Sequence, residues 1–177
     1  IFSGGTSGAV FTGSGTTMTE SFNFLSLPLT TSTNGQIRIN SNAVFHTYGV
    51  TPADKNTFAG VAAGNFTLSG AATNNTGMGA SSLASLTDGA QNAAFGVSSL
   101  SSLTDGSFNS AFGYSALAGI TTGSNNNTAV GYNAGQALTA GDSGNTLIGA
   151  GEGISGDINT IRIATQTAQL CYVGGID

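Results

Sequence analysis

The segment GDSGN at residues 141–145 places a serine between glycines, as in a loop that exposes a nucleophile. A serine nucleophile needs a histidine base and an acid that orients the histidine. The chain has a single histidine, His46, and Asp54 is a carboxylate that could accompany it. However, glycine and asparagine recur at regular spacing along the sequence, and Gly141 and Asn145 are members of these two series. We therefore interpret GDSGN as one turn of a repeat, and we assign no catalytic residue.

Two other patterns could bind a ligand or a metal ion. GEGISG at 151–156 has the glycine spacing of a dinucleotide-binding loop, but no buried strand precedes it and no helix is predicted after it. Asp88 and Asp105 occupy equivalent positions in neighbouring repeats. They could hold a cation between them, or they could belong to two separate exposed turns, and we favour the second interpretation. The sequence assigns no metal or cofactor residue.

The charge of the chain excludes several classes of function. Charged residues make up 6% of the 177 residues, the formal net charge is −5, and the basic residues are Arg38, Lys55 and Arg162. So few cations cannot neutralise several phosphates, and we expect no binding to nucleic acid or to an anionic membrane surface. No run of about 18 apolar residues is present to cross a bilayer.

Cys171 is the single cysteine, so neither an intrachain disulfide nor a zinc site with paired cysteines can form. We expect a small buried side chain, with an intermolecular bridge as the alternative. The sequence starts at Ile1 without an initiating methionine or a leader-like segment, and we therefore expect a fragment or a processed form.

A six-residue phrase that begins with asparagine recurs through the chain. NTGMGA, NAAFGV, NSAFGY, NTAVGY and NTLIGA begin at residues 75, 92, 109, 127 and 145. Asn56 begins a related phrase, and Asn159 begins a weaker one. Successive asparagines are 17–19 residues apart until a final interval of 14. Because internal repeats outweigh other patterns, this array defines the fold.

Large and small residues alternate within the phrase, as in a short β-strand. We predict that the large residues face an interior: Met78, Phe95, Phe112, Val130 and Ile148. The small residues before them then form a bare outer face: Gly77, Ala94, Ala111 and Ala129, with Leu147 as the exception. Leucines recur in step further along each repeat and predict a second short strand: Leu83, Leu100 and Leu117, with Leu86 and Leu103 three residues on.

The repeats predict an all-β fold, a parallel β-roll or β-solenoid of about six coils of 17–18 residues. Coils that rise about 4.8 Å each give a rod of roughly 30 Å and place the asparagines in a side-chain ladder. The array covers 56–158, between a β-rich N-terminal module at 1–55 and a C-terminal strand segment at 159–177. We expect a homotrimer that buries the bare faces. A monomeric solenoid, with small residues imposed by tight turns, is the alternative.

The N-[ST]-A-[FV]-G-Y phrases resemble the head repeats of trimeric autotransporter adhesins, which are left-handed parallel β-rolls wound as trimers. They are more similar still to repeats of phage and viral tail-fibre proteins that end in a self-cleaving intramolecular chaperone. The resemblance covers residues 56–164, and the segment at 159–177 is similar to the one that precedes the chaperone in such fibres. The chaperone itself is not found in this sequence, and the coils are longer than those of the adhesins.

The resemblance implies a non-catalytic fibre or adhesin segment, a rigid homotrimer that projects from a cell or virion surface. Its loops would contact a host protein or glycan receptor, and the candidate contact residues are Tyr114, Tyr132, Asn125, Asn126 and Asp142. The two tyrosines could form a stacking platform for a sugar or pack between subunits. A self-assembling extracellular filament or sheath subunit without a receptor is the second hypothesis. An enzyme such as a glycan depolymerase is the third, and the repeats offer too few paired carboxylates for it.

Overall fold

The computed structural model describes residues 36–39, 41–49, 54–149, 151 and 154–163. Within these residues the fold is all-β, without a helix. Nine strands follow one another along the chain: β1 (Ile37–Ile39), β2 (Asn42–His46), β3 (Thr57–Ala59), β4 (Thr76–Met78), β5 (Ala93–Phe95), β6 (Ser110–Phe112), β7 (Thr128–Val130), β8 (Thr146–Ile148) and β9 (Ile161–Ile163). They form one sheet in sequence order. Residues 1–35 of the predicted N-terminal module at 1–55 and residues 164–177 of the predicted C-terminal segment at 159–177, with Cys171, lie outside the described residues.

Strands β3 to β9 are parallel, and each is one coil further along the chain than the last. The chain is therefore a parallel β-solenoid of about six turns, and this part of the prediction is confirmed. The register pairs Thr76 with Ala93 and Ser110 with Thr128, which agrees with the predicted coil lengths. The β1–β2 hairpin, in the predicted N-terminal module, is antiparallel and adds to β3 in antiparallel fashion.

The last coil has a different register from the one that the sequence suggested. Thr146 pairs with Ile161, so Thr160 stands at the position of the repeated asparagine. Asn159 precedes that position and has a left-handed backbone with a φ of 53°. The prediction that Asn159 continues the asparagine column is wrong.

Each coil contains one strand of three residues, whereas the leucine pattern predicted two strands. Leu83, Leu100 and Leu117 have φ values of 53°, 51° and 53°, which lie in the left-handed region and are incompatible with a strand. The turns that replace the second strand are still bonded from coil to coil. Leu83 N donates to Ser99 O at 3.1 Å, and Leu100 N donates to Ala116 O at 3.0 Å. Regular stacking therefore continues around the coil without a second sheet.

The two faces of the strands are the reverse of the prediction. The small residues in the middle of the strands point into the roll and are 0% exposed: Ala94, Ala111 and Ala129. The large residues next to them point outward and are between 41% and 46% exposed: Met78, Phe112, Val130 and Ile148. The prediction that the bare face lies outside, where it would join subunits, is therefore wrong.

The narrow interior of the coil explains this reversal. Leucines and an isoleucine from the turns fill the roll and are 0% exposed: Leu83, Leu86, Leu100, Leu103, Leu117, Ile120 and Leu138. In strands β4 to β7 the inward position opposite them has room only for small side chains, whereas β3 and β8 hold Phe58 and Leu147 there. At Gly77, even a Cβ atom would lie 3.0 Å from the Phe58 ring and 3.0 Å from Ser82 Oγ. A phenylalanine cannot fit where alanine already completes close packing.

A ladder of buried asparagines runs along the roll, as predicted: Asn56, Asn75, Asn92, Asn109, Asn127 and Asn145. Asn109 illustrates the bonds that its neighbours repeat. Its Nδ2 donates to Asn92 Oδ1 at 3.1 Å and to the Ser124 carbonyl at 2.9 Å. Its Oδ1 accepts from the backbone N and from Nδ2 of Asn127, at 3.0 and 3.1 Å. Every polar atom of the side chain is bonded, which allows its burial.

The glycine that ends each phrase is required by the close approach of neighbouring coils. Gly96 has a φ of 140°, a conformation that residues with side chains rarely adopt. A Cβ there would lie 2.3 Å from the Gly113 carbonyl oxygen of the next coil. Glycine at this position allows the chain to turn away from the strand while the coils remain in contact.

Replacement of Asn109 by alanine should destabilise the roll strongly. The buried Asn127 N and the Ser124 carbonyl would lose the Asn109 side chain as a partner. Asn127 Nδ2 and Asn92 Oδ1 would each keep one of two bonds. We expect the free energy of unfolding to fall by about 2–6 kcal/mol, since each buried group left without a partner costs roughly 1–3 kcal/mol. Urea unfolding followed by circular dichroism measures the change.

Asn126→Gly is the matched control, because Asn126 is exposed and its φ of 58° suits glycine. We expect the free energy of unfolding of this variant to differ from that of the parent chain by less than about 0.5 kcal/mol. An equally small effect of Asn109→Ala would contradict the role of the ladder.

Candidate interaction surface

The outward column of large side chains forms a continuous apolar strip along the roll, which consists of Met78, Phe95, Phe112, Val130 and Ile148. Parallel register places these residues above one another, about 4.8 Å apart. The rings of Phe95 and Phe112 stack with centroids 5.0 Å apart and planes inclined by 4°. Phe95 is half-buried, and the other four side chains are exposed. A contiguous apolar surface of this kind is a candidate site of contact with another molecule.

The face that carries the apolar strip has no charge in strands β4 to β8. The first residue of each strand lies on the same face as the third, because side chains alternate along a strand. These first residues are small or hydroxylated: Thr76, Ala93, Ser110, Thr128 and Thr146. Burial of the face against a partner would therefore remove no ionised group of these strands from water.

Tyr114 and Tyr132 form a second aromatic pair on the surface. Their rings stack with centroids 5.4 Å apart and planes inclined by 13°, and the residues are 52% and 61% exposed. The rings turn their faces towards each other, so their edges and hydroxyl groups are available to a partner. A stacked and exposed pair suits packing between subunits and contact with a sugar equally well, since each ring keeps one face that the other does not cover.

The two asparagines of the predicted contact loop differ in their availability. Asn126 has an exposed side chain. Asn125 is half-buried; its Oδ1 accepts from Ser107 N at 2.8 Å and its Nδ2 donates to the Gly123 carbonyl at 2.8 Å. Asn125 therefore shapes the turn, and Asn126 presents the free amide of this loop.

Asp142 does not present its side chain to solvent. It is 4% exposed, and its carboxylate accepts from Thr139 N at 2.7 Å and from Gly156 N at 3.1 Å. Hydrogen bonds within its own turn and to the neighbouring turn thus occupy the carboxylate, and Asp142 is poorly placed for the receptor contact that the sequence suggested.

The serine of GDSGN has no catalytic partners. Ser143 Oγ accepts from Asn125 N at 3.0 Å, as part of the stacking of turns. His46 and Asp54 flank the start of the roll, beside β3, whereas Ser143 immediately precedes β8. Five strand spacings, about 24 Å, separate these two levels. The three residues are therefore far too distant to form a nucleophilic site.

The aspartates considered for a cation are bonded to neighbouring turns. Asp88 Oδ1 accepts from Ser69 Oγ, and Asp105 Oδ1 accepts from Gly123 N at 2.6 Å. Within the described ranges, no group of three or more His, Cys, Asp or Glu side chains could hold a metal ion.

In the described part of the chain, the GEGISG pattern is not followed by the helix that a dinucleotide site needs. The described residues beyond it, up to 163, form a turn and β9.

His46 joins the hairpin to the first coil. It is 1% exposed, its ring stacks on Phe66 with centroids 4.4 Å apart, and it contacts Phe58. Nε2 donates to the Ala63 carbonyl at 2.8 Å, while Nδ1 accepts from Tyr48 N at 3.4 Å. Burial lowers the pKa of His46 below 6.5, and the hydrogen bond to Ala63 offsets part of this change. The imidazole is thus neutral and structural.

An ion pair lies in the last coil that the structure describes. Arg162 stands where the inward Leu147 stands one coil earlier. Its Nε and Nη2 donate to the two carboxylate oxygens of Asp157, at 2.7 and 2.9 Å. The hydrogen bond and the charge of Arg162 lower the pKa of Asp157 and, reciprocally, raise that of Arg162. Among the described residues this is the last inward position, and a charged pair takes the place that apolar side chains occupy in the earlier coils.

Comparisons with known protein families, with characterised proteins and with solved structures find no match to this chain. No helix among the described residues could cross a membrane. The function is therefore inferred from the surface of the roll and from the pattern of its repeats.

Sequence reasoning identified the residues of the apolar strip but placed them in the interior. The leucine columns were the signal that could have corrected this placement. The coils within residues 75–126 each bring two large aliphatic side chains, such as Leu100 and Leu103, into the roll. A coil of so few residues cannot also enclose Phe112, since the space opposite these leucines is filled by Ala111.

His46 should make the stability of the fold depend on pH. Because its pKa is lowered in the folded chain, the unfolded chain binds more protons below pH 6.5. The contribution of neutral His46 is therefore complete above this value and is lost as the pH falls through the lower pKa of the folded state. We expect the melting temperature to decrease between about pH 7 and pH 5.

His46→Gln is the matched control, because its amide can donate to the Ala63 carbonyl without titrating. Thermal unfolding at a series of pH values should show a smaller slope for this variant. Equal slopes for the two proteins would contradict the assignment of a buried, neutral imidazole.

Proposed function

We propose that this chain is a non-catalytic segment of an extracellular fibre, a rigid β-roll that assembles as a homotrimer and projects from a cell or virion surface. The observation that carries the proposal is the apolar strip, which is exposed along successive coils of one uncharged face. The subunits would pack these strips against one another. The number of three subunits and the surface location come from the resemblance of the repeats to those of trimeric adhesins and tail fibres.

The apolar strip suits a long interface because each coil contributes one large side chain to it. Burial of the exposed part of such a side chain stabilises an interface by about 1 kcal/mol. Contributions from stacked coils add along the rod, so the interface becomes more stable with each coil that carries a large outward side chain. The stacked rings of Phe95 and Phe112 would form the most rigid part of this interface.

A receptor contact on the loops is the second part of the proposal. Asn126 offers an exposed amide on a turn that hydrogen bonds hold to the next coil, with Gly144 N bonded to Asn125 O at 3.0 Å. Tyr114 and Tyr132 offer ring edges and hydroxyl groups. Neutral groups of this kind suit a protein or glycan receptor and do not suit a nucleic acid, which requires many cations.

Phe112→Asp should dissociate the trimer while it leaves the roll folded. Phe112 is 42% exposed within one chain, so a single subunit tolerates a polar side chain there. In a trimer, three carboxylates would be buried close together, which is strongly unfavourable. Sedimentation of the parent chain should give three times the mass of 17.4 kDa, and the variant should give one chain.

Asn126→Asp adds the same charge on an exposed turn and should remain trimeric, with circular dichroism as the check of folding in both variants. A parent chain that sediments as a monomer, or a Phe112→Asp variant that stays trimeric, would rule out the apolar strip as the subunit interface.

A filament or sheath subunit without a receptor is the second candidate, and the ends of the sheet favour it. The terminal strands of the described sheet expose apolar side chains: Ile37 and Ile39 in β1, and Ile161 and Ile163 in β9. Outer strands with apolar side chains of this kind can pair with another chain. Very large species in the same sedimentation experiment, abolished by Ile161→Lys, would support end-to-end polymers over a discrete trimer.

A further inference from the structure

A cavity of about 490 Å³ lies between the β1–β2 hairpin and the first two coils of the roll. Arg38 and Asn42 line it from the hairpin, and Val61, Asn65 and Phe66 line it from the first coil. Sites for small molecules have volumes of roughly 300–1,000 Å³ and combine apolar walls with a few polar groups. The cavity satisfies both conditions, and its lining is separate from the apolar strip and the tyrosine pair.

Arg38 supplies the positive charge of the cavity. Its Nη1 donates to Gln36 Oε1 at 2.7 Å, and its Nη2 donates to the Ser41 carbonyl. These bonds orient the guanidinium group and leave further N–H donors for a ligand. No carboxylate of the described residues lies within ion-pair distance of Arg38, whereas Arg162 is paired with Asp157. Arg38 is thus a cation without an acidic partner there, in a chain whose formal net charge is −5.

Two amide side chains add neutral donors to the lining. Asn65 Oδ1 accepts from Thr67 N at 3.0 Å, which fixes the amide and leaves its Nδ2 for a ligand. Asn42 is exposed at the hairpin side. His46 also lines the cavity, but its Nε2 is bonded to the Ala63 carbonyl, so it contributes ring surface and no donor.

We infer that this cavity binds a carboxylate-bearing sugar unit of an acidic glycan. The guanidinium of Arg38 would hold the carboxylate through paired hydrogen bonds. The amides of Asn42 and Asn65 would bond to ring hydroxyls, and Val61 and Phe66 would pack against the apolar side of the sugar ring. One cation in an acidic chain matches a ligand with one negative charge, which favours a carboxylate over a phosphate with its higher charge.

The inference names a ligand class for the receptor contact and rests on the proposed fibre function for its biological meaning. The cavity itself lies within one chain, so binding does not require the trimer. Sedimentation and ligand binding therefore test the two ideas separately. If the chain is a trimer but binds no sugar, only the inference about the ligand is overturned. If the chain is a monomer and binds the acidic sugar, only the proposal of a trimeric assembly is overturned.

Titration of the whole chain with glucuronic acid and with N-acetylneuraminic acid, followed by NMR, tests the inference. We expect saturable shifts of the signals of Arg38, Asn65 and their neighbours with at least one acidic sugar, and none with neutral glucose at the same concentration. Equal binding of glucose, or no binding of either acid, would overturn the inference. Tighter binding of inorganic phosphate would overturn the sugar and indicate a phosphate ligand.

Arg38→Gln should weaken the binding of the acidic sugar at least about tenfold, because it removes the charge and the paired donors. Lys55→Gln is the matched control, since it removes a cation that does not line the cavity and should leave the affinity unchanged. Equal affinities of the parent chain and Arg38→Gln would overturn the inference.

A second variant keeps the test valid if Arg38→Gln disturbs the hairpin. Asn65→Asp retains the acceptor for Thr67 N but replaces the amide donor with a negative charge. It should abolish binding of the acidic sugar while the backbone signals of β3 to β9 stay in place. Unchanged binding by Asn65→Asp would overturn the inference.

Discussion

The hydrogen-bonded column of asparagine side chains is the interaction on which the rest of this structure depends. Each inner amide of the ladder, from Asn75 to Asn127, is bonded to the asparagine below, to the asparagine above and to a turn carbonyl on its own coil, as at Asn109. These bonds fix the spacing and rotation of one coil relative to the next. Because the amides are buried, a shifted register would leave several polar groups without partners, which costs far more than any single bond contributes. The ladder thus selects one register for every strand.

A single register has consequences on both sides of the strand. On the inside, alanines such as Ala94 and Ala111 stack and leave the remaining space to leucines from the turns. On the outside, the same register places Phe95 over Phe112 and Tyr114 over Tyr132, so chemically similar side chains accumulate into continuous columns. The features proposed for assembly are therefore produced by the ladder, although the asparagines themselves never reach the surface. Function on such a scaffold depends on which residues are repeated at the outward positions.

The sequence was sufficient to predict the coil length, the parallel solenoid and the asparagine ladder, because each follows from the spacing of one repeated phrase. It was not sufficient to predict which face of the strand lies inside. Alternation distinguishes two faces, but the cross-section of the coil decides between them. That cross-section depends on turns in which Leu83 and Leu100 adopt positive φ, and leucine rarely does so. Similarly, the sequence suggested Asp142 as a contact residue of an exposed loop. Its carboxylate instead accepts a hydrogen bond from Gly156 in the neighbouring coil, and no local sequence pattern reveals such a contact.

Hydrogen exchange at the side-chain amides, measured by NMR, tests the ladder most directly. The described structure contains both classes of asparagine, buried amides such as Asn92 and Asn109 and the exposed amide of Asn126. The account predicts that the Nδ2 protons of the ladder exchange as slowly as the backbone N–H groups of the strands, whereas those of Asn126 exchange rapidly. Rapid exchange of all asparagine side chains would show that the column is open to water. The register, the interior and the apolar strip would then need a different cause.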